Sequence, residues 1–281
     1  MLVNGKKMLD EARRDGRVIY HFNINNLEWT KIILEKCNEL KTPVILGVSE
    51  GAIRYMGGYR VVSSLVRSLI MDLNILVDVC LHLDHGSNFD SCKEAVDSGF
   101  TSVMIDASKL PLDENIEVTK KVVSYAHKKD VTVEAELGHV GGMEDDVKAS
   151  ILLADYDECL RFVNETGIDS FAPSIGTVHG IYKGELNIDF DLISRLRNNL
   201  SVPLVMHGGS GLDKSILIHA IKSGITKINV NSDLQYVWCE AVKEFIKENP
   251  DVYDPRKIIY SGKEAMNKFI EDKINILNNA K

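Results

Sequence analysis

The 281-residue chain is 44% hydrophobic and carries 33 basic against 41 acidic residues, a formal net charge of −8. That length suits two ordinary domains or one α/β barrel, with enough apolar material for a substantial core. The acidic balance, with no segment concentrating Lys and Arg, argues against nucleic acid or an anionic membrane as partner, although local backbone amides can still hold a phosphate.

The opening stretch MLVNGKKMLDEARRDG alternates charged and apolar residues and lacks the apolar stretch of a signal peptide. No apolar run approaches the roughly 18–20 residues of a spanning helix. The cysteines, Cys37, Cys80, Cys92, Cys159 and Cys239, are odd in number and show no CxxC spacing, which favours free thiols in a reducing compartment. A cytoplasmic protein is expected.

Short β-branched runs predict strands at Val18–Asn23, Pro43–Ser49, Leu76–Asp84, Ser102–Asp106, Val131–Leu137, Ser170–Ile175, Pro203–His207 and Lys227–Asn231. Between them apolar residues recur at helical spacing, as in Trp29, Ile32, Ile33 and Cys37. Strand and helix alternating about eight times predicts a parallel sheet closed into a single (β/α)8 TIM barrel. Past Asn231 the chain reads as helix to Glu248, then a turn at Asn-Pro-Asp-Val-Tyr-Asp-Pro, then a last helix from about Gly262. One domain over residues 1–281 with a helical C-terminal extension is the simplest organisation.

Strand parity adds detail. Val77, Val79, Leu81 and Leu83 alternate with Asp78, His82 and Asp84; Val131, Val133, Ala135 and Leu137 alternate with Thr132, Glu134 and Glu136. One face therefore packs on helices, and the other carries acids into the barrel. Lys227, Asn229 and Asn231 share a face in the same way. Barrel interiors are normally Val, Ile and Leu, so charges there need pairing, a ligand or a catalytic task.

His82-Leu83-Asp84-His85 sets an acid beside a metal-competent imidazole, while His179 and His207 each precede glycine after later runs. Three histidines at strand ends beside Asp84 make the ligand inventory of a catalytic zinc site. Any one of them alone would more simply be a hydrogen-bonded or surface imidazole. That plain reading is kept for His21, His82, His127, His139 and His219, with His82 as a neighbour that supports Asp84. Asp106 and Glu136 end their strands and could offer a second, oxygen-rich metal position or pair with a cation.

His207-Gly208-Gly209-Ser210-Gly211 and Asn229-Val230-Asn231-Ser232 fall in the loops where barrels commonly bind phosphate. The loop from Gly138 to Asp146 reads either as a solvated turn leading into a helix N-terminus or as a hinged lid that delivers Glu144 as a base.

HLDHGS, SVMIDAS, VEAELGHVGGMEDD, GTVHGIYKGE, VMHGGSGL and KINVNS, in that order, resemble the motif series of the class II, zinc-dependent ketose-bisphosphate aldolases. The resemblance runs from Phe22-Asn23-Ile24-Asn25-Asn26 to Asp254-Pro255-Arg256, and PVILGVSEGA followed by YMGG is most similar to the fructose-1,6-bisphosphate branch. It implies reversible cleavage of fructose 1,6-bisphosphate to dihydroxyacetone phosphate and glyceraldehyde 3-phosphate by a zinc-enediolate mechanism. Asp84 would handle the C4 hydroxyl proton, and Glu144 the C1-derived proton of dihydroxyacetone phosphate. His85, His179 and His207 would hold zinc, and Asp106 and Glu136 an alternative divalent position. Asn23, Ser49, Gly180, Gly208, Gly209, Ser210, Asn229, Val230, Asn231 and Ser232 would bind the phosphorylated sugar, with a monovalent cation near the phosphate as a further candidate. A homodimer or homotetramer is implied. A cation at Arg256 or Lys257 would meet the second phosphate.

Three rival readings remain at this point. The same chemistry could act on tagatose 1,6-bisphosphate or a phosphorylated deoxy-ketogluconate. Lys227 could form a Schiff base. The barrel could be a metal-binding scaffold without turnover.

Overall fold

In the computed structural model, which describes residues 1–144, 147–149, 152–180 and 187–278, eight parallel strands close into a barrel. Helix α1 (Lys6–Arg14) precedes β1 (Ile19–Asn23), followed by α2 (Leu27–Glu39), β2 (Val44–Ser49), α3 (Glu50–Met56), α4 (Tyr59–Asp72) and β3 (Val79–Gly86). Next come α5 (Phe89–Asp97), β4 (Ser102–Ile105), α6 (Leu112–Ala126), β5 (Thr132–Leu137) and the short strands β6 (Gly141–Glu144) and β7 (Val147–Ala149). Then α7 (Tyr156–Thr166), β8 (Ser170–Pro173), β9 (Val178–His179), α8 (Phe190–Asn199), β10 (Leu204–Met206), α9 (Lys214–Ser223) and β11 (Ile225–Val230) complete the alternation. Helices α10 (Ser232–Glu248), α11 (Pro255–Tyr260) and α12 (Lys263–Asn278) form the C-terminal part. Strands β1 to β5, β8, β10 and β11 make the barrel, and β11 closes on β1 with Ile19 opposite Lys227.

All eight expected strands form, and their alternation sorts the side chains as the parity predicts. Leu81, Leu83, Val133, Ala135, Ile228 and Val230 are fully buried in one apolar layer between strands and helices. The third strand starts at Val79 rather than Leu76, which is 84% exposed. The chain's first residues run alongside instead: the Met1 amine donates to the Val77 carbonyl at 2.6 Å, and Val79 N–H to the Met1 carbonyl at 2.8 Å. At the barrel's N-terminal end, Met8, Leu9 and Ala12 of α1 cover Ile19, Ile45 and Cys80. Arg13 and Arg197 tie α1 to the end of α8, as Arg13 donates to the carbonyls of Leu200 and Val202.

The middle of the barrel is polar. His21, His82, Glu134 and Lys227 are each at most 1% exposed. Gly47 on β2 makes room for them: a Cβ there would lie 1.5 Å from His21 Nε2. Because His21 is enclosed, Gly47→Ala should cost about 1–3 kcal/mol by overpacking, read by denaturant unfolding. Most of that cost should vanish when Gly47→Ala is made in a His21→Ala background. Equal costs in both backgrounds would show that the ring does not set the requirement.

Two local expectations change. The stretch after β5 is not a solvated turn leading into a helix N-terminus. β6 pairs antiparallel with β7, and β6 also lies parallel to β9, with Gly142 opposite His179. At the C-terminal end, Pro255–Tyr260 forms helix α11 between the expected turn and the expected last helix; Asp254 caps it by accepting from Arg256 N–H at 2.9 Å.

Candidate active site and metal centre

The strand C-termini deliver the chemistry to one rim, where barrel active sites sit. Asp84 lies on β3 and is 1% exposed, its Oδ2 accepting from Asn23 Nδ2 at 2.8 Å. Its neighbour His85 cannot face the same way in a regular strand. The backbone resolves this with φ +49° at His85, a left-handed value that costs a side-chain-bearing residue energy, and with a shifted register between β3 and β4. Leu83 stays in the outer layer, while Asp84 and His85 both reach the rim.

His85, His179 and His207 converge, one nitrogen of each lying within 4.8 Å of the others. His179 comes from β9 and His207 directly follows β10. Their outer nitrogens are engaged. His85 Nδ1 meets Asp106 Oδ2 at 2.9 Å, and His207 Nε2 meets Glu134 Oε1 at 3.1 Å. A carboxylate only accepts, so both of those nitrogens carry hydrogen. Their other nitrogens, His85 Nε2 and His207 Nδ1, face each other across 2.9 Å. Such an arrangement suits a cation between them: two ligands of tetrahedral zinc stand about 3.3 Å apart. Burial pushes His179 well below the ordinary histidine range, helped by His85 and His207, and burial also lowers His207. Neutral imidazoles are the form that binds metal. The donor set therefore fits a zinc-class ion.

Asp106 and Glu136 complete a second group with His85, again within 4.8 Å. Burial alone would raise the Asp106 pKa, but His85 and Ser108 outweigh it and hold the carboxyl below its usual range. Glu136 Oε1 accepts from Val140 N–H at 3.3 Å, and Oε2 lies 3.8 Å from His207 Nδ1.

Asp84 is likewise held well below the carboxylate range, because His21, His85, His207 and Lys227 together outweigh its burial. His21, read from the sequence as a plain hydrogen-bonded or surface imidazole, belongs here: its Nε2 is 3.7 Å from Asp84 Oδ2. His82, given a supporting role, bonds through Nδ1 to Ser102 Oγ at 2.8 Å, and burial lowers its pKa to about 3. His127 pairs with Asp169, His219 stacks on Phe190, and His139 meets Ser108, so these three keep structural roles. Glu134 was visible on the inward face but had no assigned part; it binds Lys227 and His207.

Lys227 Nζ lies 2.9 and 2.8 Å from the two Glu134 oxygens and is 1% exposed. An amine so engaged is poorly placed to attack a carbonyl.

The candidate phosphate loops are tied to one another. Gly209 N–H donates to the Asn229 carbonyl at 3.0 Å, so that amide is already used. Ser210 Oγ accepts from the Asn231 and Asp233 amides at 3.2 and 3.3 Å, which leaves its hydroxyl hydrogen to point elsewhere. Gly208 adopts φ +67°, and a Cβ there would sit 2.3 Å from the Val178 carbonyl oxygen, beside the strand that carries His179. Asn229 has its side chain inward with Nδ2 3.5 Å from His207 Nε2. Val230 faces the outer layer, so only its backbone can meet a ligand. Gly180, at φ +86°, directly follows His179, and Ser232 opens α10. Beside Asp84 opens a cavity of about 500 Å³, lined among others by Asn23, Ser49, Tyr55 and Asn231. Ser49 Oγ also caps α3. Glu144 ends β6; its side chain lies outside the described residues, as does the motif stretch 181–186.

All five cysteines are free thiols, and Cys239 alone is partly exposed. Among the described residues no helix is long and apolar enough to cross a membrane.

The family model for fructose-bisphosphate aldolase class-II matches residues 3–281. A fructose-bisphosphate aldolase of Geobacillus stearothermophilus is 52% identical over 266 residues, covering 94% of this chain and 93% of its own. One from Staphylococcus aureus is 50% identical over 274 residues, 97% and 96% of the two chains. Among solved structures, the YdjI aldolase of Escherichia coli K12 superposes with a TM-score of 0.85 at 31% identity, covering all of both chains.

Proposed function

The chain belongs to the class-II fructose-bisphosphate aldolase family, and from that premise we propose that it cleaves fructose 1,6-bisphosphate reversibly to dihydroxyacetone phosphate and glyceraldehyde 3-phosphate. The observation that carries the reading is an ionised Asp84, fixed by Asn23, beside three imidazoles that converge. His85, His179 and His207 would hold zinc. When bound, that ion supplies Lewis acidity toward the ketose carbonyl.

Asp84 accepts the C4 hydroxyl proton as the C3–C4 bond breaks, and returns it in the condensation direction. Glu144 exchanges the proton at the carbon that the aldehyde leaves. Asn229 hydrogen-bonds the oxygen on which negative charge develops. Gly180, the turn Gly208–Ser210 and the stretch Asn229–Ser232 hold the triose phosphate, with Ser210 offering its hydroxyl hydrogen. Asn23 and Ser49 border the cavity for the rest of the sugar. Asp106 and Glu136 serve as a second divalent position, and a monovalent cation belongs near the phosphate. We read residues 1–281 as one domain, working in the cytoplasm as a homodimer or homotetramer.

A side-by-side assay decides the sugar: fructose 1,6-bisphosphate should be cleaved with a kcat/KM well above that for tagatose 1,6-bisphosphate, in a preparation whose metal is measured. Preference for tagatose would move the assignment to that epimer. Borohydride added with dihydroxyacetone phosphate should leave the protein mass unchanged. An adduct on Lys227 would overturn the metal-dependent route.

A further inference from the structure

We infer that Glu134 and Lys227 form a built-in positioning pair that fixes the hydrogen of His207 on Nε2 and so presents Nδ1 to the metal. The inference rests on the metal-centre reading above and deepens it.

Glu134 lies on β5 and Lys227 on β11, three strands apart around the closed barrel, and their side chains meet in its middle at 1% exposure. The carboxylate is fully used. Oε1 accepts from Lys227 at 2.9 Å and from His207 Nε2 at 3.1 Å; Oε2 accepts from Lys227 at 2.8 Å and from Ser170 Oγ at 3.1 Å. A hydroxyl or an amide in place of Glu134 could serve His207 as donor or acceptor, but an ionised carboxylate can only accept. The imidazole must therefore be the donor at Nε2, and its lone pair falls on Nδ1, 2.9 Å from His85 Nε2. Lys227 lets that carboxylate stay ionised without water around it. Burying such a pair where Val, Ile and Leu ordinarily fill a barrel is no route to stability, since apolar replacements commonly do as well. What an apolar pair could not do is choose the nitrogen that carries hydrogen. Partners of this kind orient a ligating histidine and raise its basicity.

Two neutral double variants separate orientation from charge. In E134Q/K227M the glutamine carbonyl can accept from Nε2–H but no longer compels that hydrogen; in E134L/K227M nothing accepts. Zinc affinity, read by competition with a fluorescent chelator, should fall about 10–100-fold in E134L/K227M and by less in E134Q/K227M, where the tautomer is allowed but not enforced. The visible spectrum of the cobalt-substituted protein should change more in the first than in the second. Nitrogen NMR of the histidine-labelled, unsubstituted apo-protein should show His207 protonated at Nε2, a measurement that does not depend on any variant folding. Tight zinc binding by E134L/K227M with an unaltered cobalt spectrum, or an Nδ1–H signal for His207, overturns the inference. Failure of the unsubstituted chain to take up zinc would instead overturn the metal-centre reading.

Discussion

Asp84→Asn is expected to lower kcat by about 10²–10⁴-fold, or about 2.7–5.4 kcal/mol of transition-state stabilisation, with KM little changed. The substitution keeps shape. Its amide oxygen can take the place of Oδ2, which accepts from Asn23 Nδ2 at 2.8 Å and lies 3.7 Å from His21 Nε2. What is lost is the group that takes and returns the hydroxyl proton. Because Asp84 is 1% exposed, solvent is a poor substitute base there. Steady-state cleavage assays give kcat and KM, while zinc content and the thermal midpoint report whether the site and fold persist. A variant with full zinc and kcat within a factor of about ten of the unsubstituted enzyme would remove Asp84 from the proton-transfer role.

The inward face of this barrel was legible because strand alternation is a short-range rule. Val133 and Ala135 point out, and Glu134 and Glu136 point in, whatever the rest of the chain does. The same rule, followed back from Asn23, turns His21 inward as well, where a single histidine had been read as a plain hydrogen-bonded or surface imidazole. Parity fails at His85. Two adjacent residues cannot both face the centre of a regular strand, and only the left-handed backbone at His85 lets Asp84 and His85 share the rim. No local signal announces that conformation, since a non-glycine residue there is held by its surroundings. The hairpin of β6 and β7 escaped for a related reason. Its glycine-rich strand pairs with β7 on one side and with β9 near residue 178 on the other, and the second contact lies in no short window of sequence. Glu134 shows a third kind of gap. Its inward position was evident, but its partners Lys227 and His207 stand 93 and 73 residues away.

Removing metal should reduce cleavage to background, and stoichiometric zinc should restore it. The reason lies in what the three imidazoles do without a cation. Asp106 and Glu134 engage His85 Nδ1 and His207 Nε2, so His85 Nε2 and His207 Nδ1 meet at 2.9 Å with His179 close by. Burial lowers the pKa values of His179 and His207, which favours the form that binds metal. A divalent ion would take the converging nitrogens as ligands, so binding should also stabilise the fold. At a free zinc concentration one hundred times Kd the gain is about 2.7 kcal/mol, visible as a concentration-dependent rise in Tm. His207→Ala should abolish both the rise in Tm and the recovery of activity, because it removes one of the converging nitrogens. Full turnover in protein stripped of metal would refute the assignment. So would a Tm that ignores zinc, since an ion held by the folded site and not by the unfolded chain must raise it.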